Sequence, residues 1–459
     1  MGCLPIMSFL SQLASKKVLV VGGGKTGIAV AQFLETQNVD FKIIDEEVID
    51  HAKYIPMDSN PSGFDLAITS PGWRKDHPVI EKLRLAGTSI SSELDFAWQI
   101  KAEVNPDQAW VAITGTNGKT TTVQMAQSIF DQSTIKAIAC GNVGLPAIAA
   151  VSSNEKYELL ILELSSFQID WSELPRFKAA AILNIAEDHI DWHGSFSNYA
   201  AAKLKVLSQS EIAILNLGDP EVVLRASSYS GRKIFYGLDT PQAGEIGLVE
   251  ELLVDRAFVV NPESAESFGE LLDVKPTVPH NVSNAMAAAG LALALGVPHP
   301  IIKEGLVQFK LDSHRLQEVA VINEITWIND SKATNPHAAA AALSSYESII
   351  WIAGGLAKGA KMEKLIQKYG KRIKEVILIG ADRELIADAI VKYFPQLPLH
   401  RVDGDSGAQV MSEVVSLAAR LATAGDTVLL APACASMDQF TSYAERGDLF
   451  AKAVLGIGG

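Results

Sequence analysis

The stretch ITGTNGKTTT, residues 113–122, closes one apolar run and opens a helical pattern. Gly118, Lys119 and Thr120 supply the G-K-T of a phosphate-binding loop, yet the leading glycine of G-x-x-x-x-G-K-[ST] would fall at Ile113, and Gly115 comes two residues too late. What remains is a tighter loop. It follows the buried-strand pattern AWVAIT (109–114) and offers clustered backbone N–H donors, a lysine for β/γ-phosphates and a hydroxyl for Mg²⁺. Those are the needs of a nucleoside triphosphate.

Outward from this loop, short β-rich runs alternate with helical patterns, which predicts parallel, doubly wound sheets. Ahead of it lie KKVLVV (16–21), DFKIID (40–45), FDLAITS (64–70) and TSIS (88–91), closed by the polar, proline-containing EVNPDQ (103–108). Beyond it come KAIAC (136–140), ELLILEL (158–164), AAAILNI (179–185) and EIAILN (211–216). From about Leu311 a third block holds TWIND, SIIWIAGG, EVILIG and DTVLLAPA. The expected fold is α/β in three domains: Rossmann-like over 1–106, a central P-loop-type ATPase with a parallel sheet over 107–311, and a second Rossmann-like domain over 312–459.

The chain has 459 residues, 48% of them apolar, and a net charge of −14, so it has ordinary cores and little to attract nucleic acid. Its nearest approach to a basic patch, KYGKRIKE (368–375), reads as a solvated helix end and following loop. Cys3, Cys140 and Cys434 lie far apart, as reduced thiols of a cytosolic protein do. The run CLPIMSFL (3–10) precedes its lysines instead of following a basic region, unlike a signal peptide, and no segment offers the roughly 20 apolar residues of a membrane helix.

Other motifs leave alternatives open. GGGKTG (22–27), followed by Asp45 at the next strand end, satisfies the dinucleotide fingerprint, but that geometry recognises a pyrophosphate and suits NAD(P), FAD or another diphosphate equally. SPGW (70–73) is either a plain Pro-Gly turn or part of a ligand rim. Glu163, ending ELLILEL, is placed to hold Mg²⁺ or to cap a helix. His189, Asp191 and His193 in EDHIDWH resemble a zinc cluster, though Mg²⁺ is the metal expected beside phosphates. By pattern alone, YAAAKLKVL (199–207) is a helix with Lys203 on its wet face. SHRLQ (313–317), INDSKATNP (328–336) and AGGLAKG (353–359) place Arg315, Asp330, Lys332, Thr334 and Lys358 at turns and strand ends, where they suit an anion-binding domain that closes over the ATP site.

Taken together, GTNGKTT, LELSSFQ (162–168), EDH (187–189), AAAK (200–203), HNVSNAMAA (280–288), SHRLQ and NDSKATNP resemble the Mur ligase family along essentially the whole chain. The start GGGKTG, the SPG turn and LLAPACASMDQF (429–440) resemble its D-glutamate-adding branch. The resemblance implies a cytoplasmic, ATP-driven amide ligation in peptidoglycan precursor synthesis, through an acyl phosphate. The expected substrates are ATP, UDP-N-acetylmuramoyl-L-alanine and D-glutamate, and the expected state is a monomer. It implies that Gly115, Thr116, Asn117, Gly118, Lys119, Thr120 and Thr121 bind the phosphates, with Asn281 and Asn284 near adenine, Arg315 on the phosphates and Asp330 on the ribose. Two Mg²⁺ ions would be held by Thr120, Glu163, His189 and a Lys203 carbamylated by CO2, and Asn142 would meet the γ-phosphate or acyl group. Lys25, Thr26, Ser70, Pro71 and Gly72 would hold UDP. Lys332, Thr334, Lys358, Ser436, Met437 through its backbone, and Tyr443 would surround D-glutamate.

The chain departs from the family pattern at Leu356, where an acidic residue is frequent, at Glu46 and Glu47, where a hydroxyl and a base are expected, and at Tyr443, where Phe is common. An NAD(P)-linked oxidoreductase explains GGGKTG but not GTNGKTT. A folylpolyglutamate-type ligase lacks the first domain, and a UDP-sugar sensor without turnover has no use for Lys119, Glu163, His189 and Lys203 together.

Overall fold

In the computed structural model, residues 8–261 and 263–457 are described; Cys3 and most of the CLPIMSFL stretch lie outside them. Val18, Leu19, Val20 and Val21 expose no surface, as befits a strand covered on both faces. That strand, Lys17–Val21, is central to a five-stranded parallel sheet, flanked by Asp40–Ile44 and Leu66–Thr69 with Tyr54–Ile55 and Ser89–Ser92 at the edges.

A nine-stranded sheet follows. Ala109–Thr114 lies between Leu159–Glu163 and Phe177–Ile182, with Ile113 paired to Glu163 and Thr114 to Ile182. The carboxyl ends of three parallel strands therefore lie side by side, the rim at which open α/β sheets bind ligands. Ala137–Gly141 forms one edge; Ser210–Asn216, Arg232–Tyr236 and Glu245–Val249 continue the parallel order on the other side. The sheet then ends in two antiparallel strands, Leu252–Asp255 and Glu266–Glu270. The sequence reading missed this extension, because the hairpin turns at Glu250 (φ 55°) and Glu251 without a glycine and the strands are short and half exposed.

The third sheet has six strands, with Ile325–Asn329, Thr427–Leu430, Ile349–Gly354 and Ile373–Ile379 running parallel as expected. The antiparallel Gln317–Ile322 and the three-residue edge strand Leu399–Arg401 were not anticipated. KYGKRIKE is not a helix end with a loop after it. Its helix stops at Tyr369, and Ile373 already opens a strand whose buried residues alternate with Lys374 on the surface.

Two compact units result: one takes in the chain to Thr277 and Asn281–Phe309, the other Val278–His280 and the chain from Lys310. The first two sheets share a unit because their helices share a core: Phe96, Ala97 and Ile100 belong to one apolar cluster with Ile148, Trp110 and Cys140. Among the described residues, no helix is long and apolar enough to cross a membrane.

Candidate functional site

In the first unit, the G-T-N-G-K-T loop turns at Gly118, whose φ is +83°, and helix Lys119–Asp131 begins at the next residue. A side chain at Gly118 would also meet Asn284, since a Cβ there would sit 2.6 Å from Asn284 Oδ1. Glycine is thus required twice over, and Asn284 is brought against the loop. Lys119 Nζ curls back to the carbonyls of Gly115 (2.8 Å) and Thr116 (3.0 Å).

The Thr116 side chain is committed to structure: its hydroxyl meets Tyr199 OH at 3.0 Å and accepts from Ala186 N at 3.0 Å. Asn184 brackets the loop by accepting from Asn117 N and donating to Asn117 O. Asn184 and Tyr199 were missed in the sequence, where neither stands in a recognisable spacing. Asn281 is buried, its amide donating to the carbonyls of Lys275 and Pro276.

Glu163 is 2% exposed, and Asn142 Nδ2 donates to its Oε1 at 2.8 Å. Its Oε2 is buried and accepts no hydrogen bond. LELSSFQ has a local reason for its form: Ser165 caps helix Ser166–Trp171 and Gln168 returns the bond, a capping box that fixes the chain just past Glu163.

Lys203 is not on a wet face. It is 2% exposed, and its Nζ donates to Gly115 O at 2.9 Å. Helix Phe196–Ser208 turns that side inward because Tyr199, Ala200 and Val206 are buried with it. Burial first, and then the charge of Lys119, push the Lys203 pKa well below the usual lysine range. His189 is exposed, with φ 50°, its ring 4.8 Å from Phe167 and its Nε2 3.6 Å from Asp188. The zinc reading gains nothing: His193 meets Ser166 Oγ at 2.9 Å, and no group of three or more His, Cys, Asp or Glu among the described residues could hold a metal.

In the GGGKTG loop, a Cβ at Gly27 would lie 1.7 Å from Gly22 O, so helix Lys25–Thr36 packs directly on the turn. Lys25 Nζ donates to Gly144 O, and Ser70 Oγ lies 3.3 Å from Gly22 O beside the turn of Pro71 and Gly72. Thr26 sits in the first turn of the helix. Asp45, the acid a dinucleotide ribose would need, accepts instead from the amides of Gly23 and Glu47.

In the second unit, Leu316 N donates to Asp330 Oδ1 and Lys332 N to His314 O, which joins SHRLQ to NDSKATNP. Burial raises Asp330 to about 7 while Arg315 opposes the shift. Lys332 Nζ lies 5.3 Å from the centre of the Tyr443 ring. Leu356 and Ala435 exchange backbone hydrogen bonds at 2.8 and 2.9 Å, joining the turn of Lys358 to that of Ser436. Ser436 is buried, Met437 and Lys358 are exposed, and Thr334 is half-buried.

A triphosphate loop with a buried acid at the neighbouring strand end, on a mainly parallel sheet and followed by a second α/β unit, defines an ATP-dependent ligase of the Mur type. The Mur ligase middle domain matches residues 113–292, and the Mur ligase glutamate ligase domain matches 314–434. A UDP-N-acetylmuramoylalanine–D-glutamate ligase of Thermobifida fusca is 47% identical over 87% of this chain and 86% of its own; one of Streptomyces avermitilis is 42% identical over 96% and 98%. Among solved structures, a pseudomurein peptide ligase type C from Methanothermus fervidus superposes with a TM-score of 0.62 at 17% identity, covering 95% of this chain and all of its own. The UDP-N-acetylmuramate–alanine ligase of Thermotoga maritima gives 0.58 at 18%, covering 96% and 100%. The chain belongs to the Mur ligase family, in its UDP-N-acetylmuramoylalanine–D-glutamate ligase branch.

Proposed function

We propose that this chain joins D-glutamate to UDP-N-acetylmuramoyl-L-alanine at the expense of ATP, as a cytoplasmic monomer in peptidoglycan precursor synthesis. A carboxylate is a poor acyl donor, so its oxygen is first phosphorylated by the γ-phosphate, and the amine of D-glutamate then displaces phosphate from the acyl phosphate. For such a reaction the protein's work is positioning and charge neutralisation. The observation that carries the reading is the meeting of Lys119 and Lys203 at the Gly115 carbonyl, next to the strand that ends in Glu163.

We assign the phosphates to Lys119 and the backbone of residues 115–121, the adenine region to Asn281 and Asn284, and the phosphates and ribose further to Arg315 and Asp330. UDP falls to Lys25, Thr26, Ser70, Pro71 and Gly72, and D-glutamate to Lys332, Thr334, Lys358, Ser436, the Met437 backbone and Tyr443. Three domains, 1–106, 107–311 and 312–459, carry these three ligands.

The residues present suit Mg²⁺. Buried Oε2 of Glu163 lacks any donor, Thr120 opens the adjacent helix, and Mg²⁺ takes few protein ligands beside phosphates and water. Two such ions, held by Thr120, Glu163, His189 and a carbamate on Lys203, would supply charge neutralisation at the transferring phosphoryl group. Asn142 orients Glu163 and faces the acyl group.

Oxygen transfer tests this chemistry. With the alanine carboxylate labelled by ¹⁸O, one label is expected in the released phosphate; label-free phosphate would exclude the acyl phosphate.

A further inference from the structure

Arg446, in helix Tyr443–Ile457, has no exposed surface. Its Nε donates to Ser331 Oγ at 2.9 Å and a terminal nitrogen to Ser331 O at 2.8 Å, while both terminal nitrogens reach Cys434 O at 3.2 Å. These partners are uncharged oxygens. Burial brings the guanidinium pKa down to about 10, which leaves it charged at neutral pH. A buried cation held by neutral groups is costly to keep, and an apolar side chain would fill the same space more cheaply.

The oxygens it holds belong to the segments of the candidate acceptor pocket. Ser331 precedes Lys332, and its hydroxyl donates onward to Tyr443 O at 2.7 Å. Cys434 stands just before Ala435, which pairs with Leu356 in the turn of Lys358, and Ser436 follows. Stretches far apart in sequence are thus tied to one planar fork, which fixes direction as well as distance.

We infer that Arg446 is the positioning residue of the amino-acid pocket, setting the spacing of the Lys332–Thr334 loop, the Ser436–Met437 turn and Tyr443 without touching substrate. This rests on the D-glutamate reading of those positions. Nothing in the sequence pointed to it, since an arginine in an amphipathic helix ordinarily faces water.

The test is steady-state kinetics on full-length Arg446→Lys and Arg446→Met, each first checked for a wild-type circular dichroism spectrum and a cooperative melt. The KM for D-glutamate is expected to rise about tenfold in Arg446→Lys and further in Arg446→Met, with the KM for UDP-N-acetylmuramoyl-L-alanine within about twofold of wild type. Simple destabilisation would instead lower kcat by loss of active enzyme and leave each KM in place. That result, or a D-glutamate KM within twofold of wild type in folded Arg446→Met, overturns the inference. Should neither variant fold, Ser331→Ala removes only the hydroxyl link: a rise of about threefold in the D-glutamate KM alone supports the inference and no rise overturns it. Lys332→Ala and Ser436→Ala separate the two levels. If they raise the D-glutamate KM while the Arg446 variants do not, the pocket stands and Arg446 is excluded; if they leave it unchanged, the pocket reading fails and this inference with it.

Discussion

Lys119 and Lys203 donate to one and the same oxygen, the carbonyl of Gly115, at 2.8 and 2.9 Å. Two ammonium groups so placed repel, and the one deeper in the protein yields, which is why Lys203 is pushed toward its neutral form. A neutral amine is the form that reacts with CO2, and the carbamate would replace a repelled cation by an anion beside Lys119. Lys203→Ala is expected to cut phosphate release on the order of 10³-fold, with formate or acetate restoring part of it. Lys203→Arg, which cannot be carbamylated in the same way, is expected to be as slow. Phosphate-release assays with and without added carboxylate decide this, and an unaffected rate in Lys203→Ala contradicts it.

Gly118→Ala combines two penalties, a left-handed backbone and a contact with Asn284. The conformational term alone is roughly 1–2 kcal/mol. ATP affinity measured by calorimetry is expected to fall at least tenfold, while the melting temperature drops by only a few degrees. Wild-type ATP affinity would show that the loop tolerates a side chain there.

Glu163→Gln keeps the shape of the side chain and an acceptor for Asn142 but removes the charge from the buried Oε2. A drop in kcat on the order of 10²-fold and a higher Mg²⁺ requirement are expected from titrating Mg²⁺ at saturating ATP. Unchanged Mg²⁺ dependence would remove Glu163 from the metal site.

Glu93 is 3% exposed, with Oε1 accepting from Ile148 N at 2.8 Å, and burial raises it to about 7. Its folded pKa lies above the unfolded value near 4.3, so the folded state binds the extra proton and stability falls as pH rises from about 4 to 7. Glu93→Gln keeps the acceptor and cannot ionise. It is expected to match wild type near pH 4 and to be more stable by up to about 3 kcal/mol at pH 8, read from urea unfolding at both pH values. Equal stability at pH 8 contradicts a protonated Glu93.

Much of the fold was legible because strands covered on both faces are written as unbroken apolar runs: AWVAIT, ELLILEL and SIIWIAGG became Ala109–Thr114, Leu159–Glu163 and Ile349–Gly354. The antiparallel end of the central sheet was not, since Glu245–Val249 and Leu252–Asp255 are short, partly exposed and joined by two glutamates. The same limit applies at the site. Gly118, Lys119 and Glu163 announce themselves by spacing, whereas Asn184 and Tyr199 hold the loop through contacts across 67 and 83 residues of sequence. Lys203 was misread by pattern alone, because AAAK shows no polar stripe to say which side of the helix is wet; only the family resemblance placed it in the site.

The most direct measurement is phosphate release from ATP and Mg²⁺ across a panel of amino acids, with and without UDP-N-acetylmuramoyl-L-alanine. Release that requires both the UDP-sugar and D-glutamate is the expected result. Release with another amino acid but none above the no-acceptor control with D-glutamate would contradict the assigned specificity, and release indifferent to the UDP-sugar would contradict the ligase reading itself.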